Sequence, residues 1–98
     1  MPESRGALYG IAYHRDAVKA LQKIEPRKTR QQIKKRVDAL LSNPYPAGSE
    51  VVKGETFEGQ PVLRIRSGDY RTLYSVRENQ RTVVVLDIGH RREVYRGL

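Results

Sequence analysis

The chain has 98 residues, with 19 Lys and Arg against 11 Asp and Glu and a formal net charge of +8. That length bounds it to a single domain, residues 1–98, around one core, and the absence of cysteine excludes disulfides and thiolate metal sites. Residues 1–6 lack the apolar run of a signal peptide and no stretch has the length of a membrane span, so the expectation is a cytoplasmic protein without membrane contact. So large an excess of cations points to a polyanionic partner, nucleic acid first, with an acidic protein as the alternative.

In chain order, residues 8–13 read Leu-Tyr-Gly-Ile-Ala-Tyr and suit a first strand. Ala17, Ala20, Leu21 and Ile24 then fall on one helical stripe, which must end before Pro26. Pro26 fits the first turn of a second helix, where Ile33, Val37, Leu40 and Leu41 share a face. Ser42-Asn43-Pro44-Tyr45-Pro46 closes it, so residues 14–42 form a helical hairpin. Residues 47–60, rich in glycine and charge, hold either a short edge strand or a loop.

The second half changes period. Leu63 and Ile65 alternate with Arg64 and Arg66, Ser67-Gly68-Asp69 is turn chemistry, and residues 70–76 are β-rich. Residues 82–88, Thr-Val-Val-Val-Leu-Asp-Ile, are the most hydrophobic run and are expected to be central. The expected fold is α+β: one small, antiparallel-rich sheet of about four strands, with the helical hairpin packed on one face, in the order β-α-α-β-β-β. The other face then meets solvent or a partner, and Arg64 and Arg66 point towards it unless a one-residue slip reverses the alternation.

Two basic clusters flank the last strands: Arg64-Ile65-Arg66-Ser67-Gly68-Asp69-Tyr70-Arg71 and Ile88-Gly89-His90-Arg91-Arg92-Glu93-Val94-Tyr95-Arg96, with Lys53-Gly54 a milder third. Arginine binds phosphate with a planar fork at every relevant pH, histidine can move a proton near neutrality, and tyrosine can stack on an unpaired base. RNA supplies its own nucleophile, the 2′-hydroxyl, so alignment, electrostatic stabilisation and proton transfer would suffice for cleavage without a metal or other cofactor. Each residue also has a plainer reading: arginines on strands are mostly solvated charges, His90 can be a turn residue, Tyr95 can seal the core edge, and Tyr70 and Tyr74 suit the core.

Taken together these segments resemble the RelE/ParE toxin superfamily, over nearly the whole chain. The resemblance rests on the Tyr9–Tyr13 strand, Ala17-Val18-Lys19-Ala20-Leu21, Asn43-Pro44, the Arg-x-Arg-x-Gly-Asp-Tyr-Arg block at 64–71, Leu73-Tyr74-Ser75-Val76, and Gly89-His90-Arg91 followed by Val94-Tyr95. It implies a microbial-ribonuclease-like sheet and the toxin of a type II toxin–antitoxin system that cleaves mRNA in the ribosomal A site. It also implies a cognate antitoxin that wraps or occludes the site, with oligomers forming only through that antitoxin. By analogy Arg71 holds the scissile phosphate, Arg91 stabilises charge on the phosphate or leaving oxygen, and Tyr95 stacks on or orients the nucleotide. Arg64 stands where some members carry lysine, and Lys53, Arg66, Arg92 and Arg96 add an RNA- and ribosome-binding field.

The lysine pair of some relatives is not reproduced, since Val62 and Arg64 occupy that stretch. Arginine is a poor base, so the proton acceptor is expected to be His90, a carboxylate such as Glu50 or Glu55, or a ribosomal group. Two alternatives stay open: a ParE-like toxin that inhibits gyrase without nuclease activity, and a non-catalytic basic RNA- or ribosome-binding module.

Overall fold

The computed structural model describes residues 8–90. Strand β1 (Gly10–Tyr13) leads into helices α1 (Arg15–Lys23) and α2 (Arg27–Ala39), and then into strands β2 (Glu50–Phe57), β3 (Gln60–Ser67), β4 (Tyr70–Arg77) and β5 (Thr82–His90). The sheet order is β1-β5-β4-β3-β2. The last four strands form an antiparallel meander and β1 adds in parallel to β5. The architecture is the expected α+β, with two differences of detail.

The first is a fifth strand. Residues 47–60 carry the full eight-residue β2 rather than a loop or a short edge strand. Lys53-Gly54-Glu55 breaks its alternation because Gly54 adopts φ 81° and the register with β3 shifts between Val51 and Thr56. Left-handed backbone of that kind suits glycine and marks an irregular strand. The second concerns centrality: β5 is interior, but β4 occupies the middle of the sheet.

The helix stripes behave as their spacing predicts. Ala17, Ile24, Ile33 and Val37 are buried against Val85 and Ile88, and Leu40 joins Leu63, Ile65, Tyr74, Val76 and Val83. His14 caps α1, its Nδ1 accepting the Asp16 N–H at 3.2 Å. Arg30 closes the other end of α1 by donating to the Ile24 carbonyl at 2.8 Å, which supplies an otherwise unpaired helix-end acceptor. Pro26 is the N-cap of α2, one position before the expected first turn. Tyr74 is fully buried and donates its hydroxyl to the Pro44 carbonyl at 2.7 Å, tying the sheet to the segment after α2.

Two features shape the face away from the helices. Leu73 pairs with Asp87 but Tyr74 pairs with Val85, leaving Leu86 as the extra residue of a β-bulge on β5. The sheet is also strongly coiled. Four inter-strand gaps would separate flat sheet edges by about 19 Å. Yet Phe57 at the end of edge strand β2 meets His14, just after edge strand β1, edge to face at 6.3 Å between centroids. The face opposite the helices is therefore concave. Val62, Leu73 and Leu86 are buried there under Phe57, Val52 and Val84, so half of that face is a small second core rather than open surface.

Candidate nucleic-acid interface

Register decides which basic side chains meet. Leu63 and Ile65 face the helices, so Arg64 and Arg66 project from the concave face. On β4, Tyr70 and Tyr74 pack on the helix side, which turns Arg71 and Leu73 the other way. Arg66 is the direct cross-strand partner of Arg71, and Arg64 that of Leu73. With Gly48, Glu50 and Ile65, the three arginines line a polar concavity of about 110 Å³.

Glu50, the cross-strand partner of Arg64, is the acidic member of this concavity. Arg64 donates to it from Nε at 2.7 Å and again from the guanidinium terminus. These hydrogen bonds, with added attraction from Arg66 and Arg71, hold the Glu50 carboxyl below the usual carboxylate range. Arg66 and Arg71 have no ion-pair partner among the described residues. Like charges placed directly opposite on a sheet repel, and a bound phosphate would reverse the sign of that interaction.

His90 is not brought to this group. The bulge at Leu86 shifts the alternation of β5, so Asp87 and Gly89 face the concave side while Ile88 and His90 face α1. The His90 ring meets Tyr70 edge to face at 5.8 Å, and both line a cleft of about 390 Å³ with Lys19 and Lys23 of α1. Without the bulge, simple alternation would have carried His90 to the arginine side. Gly89 is opposite Arg71 instead. Lys53 is exposed on β2 beside the irregularity at Gly54. Arg91, Arg92, Tyr95 and Arg96 lie outside the described residues.

Three concave-face residues escaped the sequence reading: His14, Phe57 and Asp87. They are far apart in the chain and meet only because the sheet coils. A signal did exist for Asp87, a lone carboxylate inside the most apolar strand. Burial pushes its carboxyl above the usual range, with Asp16 adding to the effect, against the Ile88 N–H that donates to Oδ1 at 2.8 Å and the nearby His14. Among the described residues no group of three or more His, Asp and Glu is spaced to hold a metal ion, and no helix is long and apolar enough to cross a membrane.

Comparison with known proteins places this geometry. The family model described as the ParE toxin of the type II toxin–antitoxin system parDE matches residues 11–95. A chain of the archaeal RelE–RelB complex from Pyrococcus horikoshii OT3 is 30% identical and superposes with a TM-score of 0.70, covering 88% of this chain and 98% of that one. A chain of the RelBE2 toxin–antitoxin complex from Mycobacterium tuberculosis is 24% identical, with a TM-score of 0.67 over 84% of this chain and 96% of that one. The isolated E. coli RelE toxin is 23% identical, with a TM-score of 0.65 over 84% and 83% of the two chains. These last two establish a shared fold. A comparison with curated protein sequences returns no match. The chain belongs to the ParE toxin family of type II toxin–antitoxin systems, within the RelE/ParE superfamily.

Proposed function

We propose that this toxin is an endoribonuclease that cuts mRNA in the ribosomal A site and so halts translation. The observation that carries the reading is the Arg66–Arg71 cross-strand pair on the concave face, two like charges without a direct ion pair among the described residues, the nearby Glu50 being bonded to Arg64. A phosphodiester between them would relieve their repulsion and be held by two guanidinium forks.

The reaction follows from the substrate's own chemistry. The 2′-oxygen attacks the adjacent phosphorus as its proton is removed, the bond from phosphorus to the 5′-oxygen breaks, and the 5′-oxygen takes up a proton from water, giving a 2′,3′-cyclic phosphate and a 5′-hydroxyl. The charge on the pentacoordinate phosphorus is stabilised by Arg71, with Arg66 beside it, and Arg91 has the role that the family resemblance implies, stabilising charge on the phosphate or the leaving oxygen. Tyr95 stacks on or orients a neighbouring nucleotide. Glu50 accepts the 2′-hydroxyl proton: it lines the same concavity, and its arginine neighbours keep it ionised, though they also weaken it as a base. His90, on the α1 side against Tyr70, takes no part in this scheme. An antitoxin segment neutralises the toxin by covering the concave face; an antitoxin partner is supported by solved relatives that are toxin–antitoxin complexes.

Programmed ribosomes test the reading. Wild-type protein cleaves the A-site codon, Arg71→Ala and Arg91→Ala each reduce the rate by a factor of about a hundred or more, and Glu50→Gln lowers it while leaving RNA binding intact. Full cleavage by the Arg71→Ala, Arg91→Ala double variant would end it. The match to the family model named for the ParE toxin favours a second reading, inhibition of DNA gyrase without nuclease activity. That reading predicts blocked supercoiling and intact transcripts.

A further inference from the structure

Next to the arginines the concave face holds a second recess, of about 160 Å³, whose lining comes from both edges of the sheet. Val62, Leu86 and the Phe57 ring make its walls, and His14, Asp16, Thr56 and Asp87 supply its polar groups. In neutral His14 the Nδ1 acceptor is committed to the Asp16 N–H, which leaves the ring proton on Nε2. Asp87 uses Oδ1 for the Ile88 N–H, and its Oδ2 has no donor among the described residues. A partly desolvated carboxylate with an open acceptor gains from any N–H that enters.

The recess and the arginine concavity are separately lined but lie on the same face of the sheet. Asp87 is opposite Leu73 and Gly89 is opposite Arg71, so Asp87 is the diagonal neighbour of Arg71, one strand across and two residues along on the same face. Such a diagonal spans about 8 Å. A strand whose phosphate sits between Arg66 and Arg71 therefore has a flat, apolar slot one step away, with an aromatic ring on one wall and a carboxylate acceptor.

We propose that the recess formed by Phe57, His14 and Asp87 is a nucleobase subsite that favours bases bearing an exocyclic amine over uracil. The inference rests on the reading that this toxin acts on RNA. Phe57 supplies a stacking or edge contact that any base can make. Asp87 supplies the discrimination: cytosine offers its N4 amine and adenine its N6 amine, guanine offers N1–H with its N2 amine, and uracil flanks its single N–H with two carbonyl oxygens that the carboxylate repels.

Non-cleavable 2′-O-methyl trinucleotides, identical except for one base, test this by NMR titration of the full-length protein. Cytosine-bearing RNA is expected to bind about tenfold tighter than uracil-bearing RNA, with amide shifts at His14, Phe57 and Asp87. Asp87→Asn erases the preference, whereas Phe57→Ala weakens all trinucleotides together. Equal affinities for the two, no shift at those three residues, or a preference that survives Asp87→Asn would overturn it. Cleavage need not be measured, so the two readings fail separately. A toxin that cuts transcripts but shows no base preference refutes the subsite alone, and one that shows the preference but leaves transcripts intact refutes the nuclease alone.

Discussion

Ser75 sits in the middle of β4, 1% exposed, and its hydroxyl has no hydrogen-bond partner among the described residues. Its cross-strand partner is Val84, on the side of the sheet where the small second core lies. Burying an unpaired hydroxyl opposes folding, and removing it relieves that penalty. Ser75→Ala is expected to raise stability by about 1 kcal/mol, read as an increased urea midpoint at constant slope; a lower midpoint would contradict the accounting. Asp87 shows the same tension at a charged group, since a carboxyl whose folded pKa is raised lowers stability as pH climbs through its unfolded value. Asp87→Asn, which keeps an acceptor for the Ile88 N–H, is expected to be folded and slightly more heat-stable than wild type at neutral pH.

Among the elements, α2 holds the sheet through Ile33 and Val37, both fully buried. Ile33→Ala is expected to destabilise the fold by about 3 kcal/mol, lost apolar transfer plus a cavity that the packed helix cannot close. Because Ile33 points into the core on the face away from Arg71, the folded fraction should bind RNA with unchanged affinity; altered affinity at full folding would contradict that separation. Both helices were readable from the sequence, because their stripes repeat at helical period and proline marks the break at Pro26. The direction of Arg64 and Arg66 was readable too, since Leu63 and Ile65 fix which side of β3 is buried, but their pairing with β4 came only from the register. What could not be read was the backbone that breaks period. Val83-Val84-Val85-Leu86 gives no hint that Leu86 is bulged, yet that one residue carries His90 to the α1 side. Gly54 likewise hid β2, and with β2 hidden the Phe57–His14 contact had no antecedent.

Over the whole molecule, Glu78 ties together segments that are distant in sequence. In the turn between β4 and β5, it accepts hydrogen bonds from Tyr9 at 2.8 Å and from Tyr45, while Arg81 stacks over the Tyr9 ring at 4.9 Å. Those phenols, Tyr45 first, hold the Glu78 carboxyl below its ordinary value, as Arg64 does for Glu50. A depressed carboxylate pKa contributes stability above the unfolded value and loses it as pH falls through the folded one. The melting temperature is thus expected to drop on acidification below about pH 4, and Glu78→Gln should flatten that drop; an unchanged acid profile would contradict it.

At the same scale, a net charge of +8 gathers polyanions around the chain, and the coiled sheet sets Arg66 against Arg71 in a concavity beside a base-sized recess. The central claim is that this surface cuts RNA. The most direct test maps transcript 5′ ends after brief induction of wild-type toxin and of Arg71→Ala. New 5′-hydroxyl ends inside translated codons are expected with wild type, and their loss with Arg71→Ala. Intact transcripts with wild type, or undiminished cutting by Arg71→Ala, would contradict it.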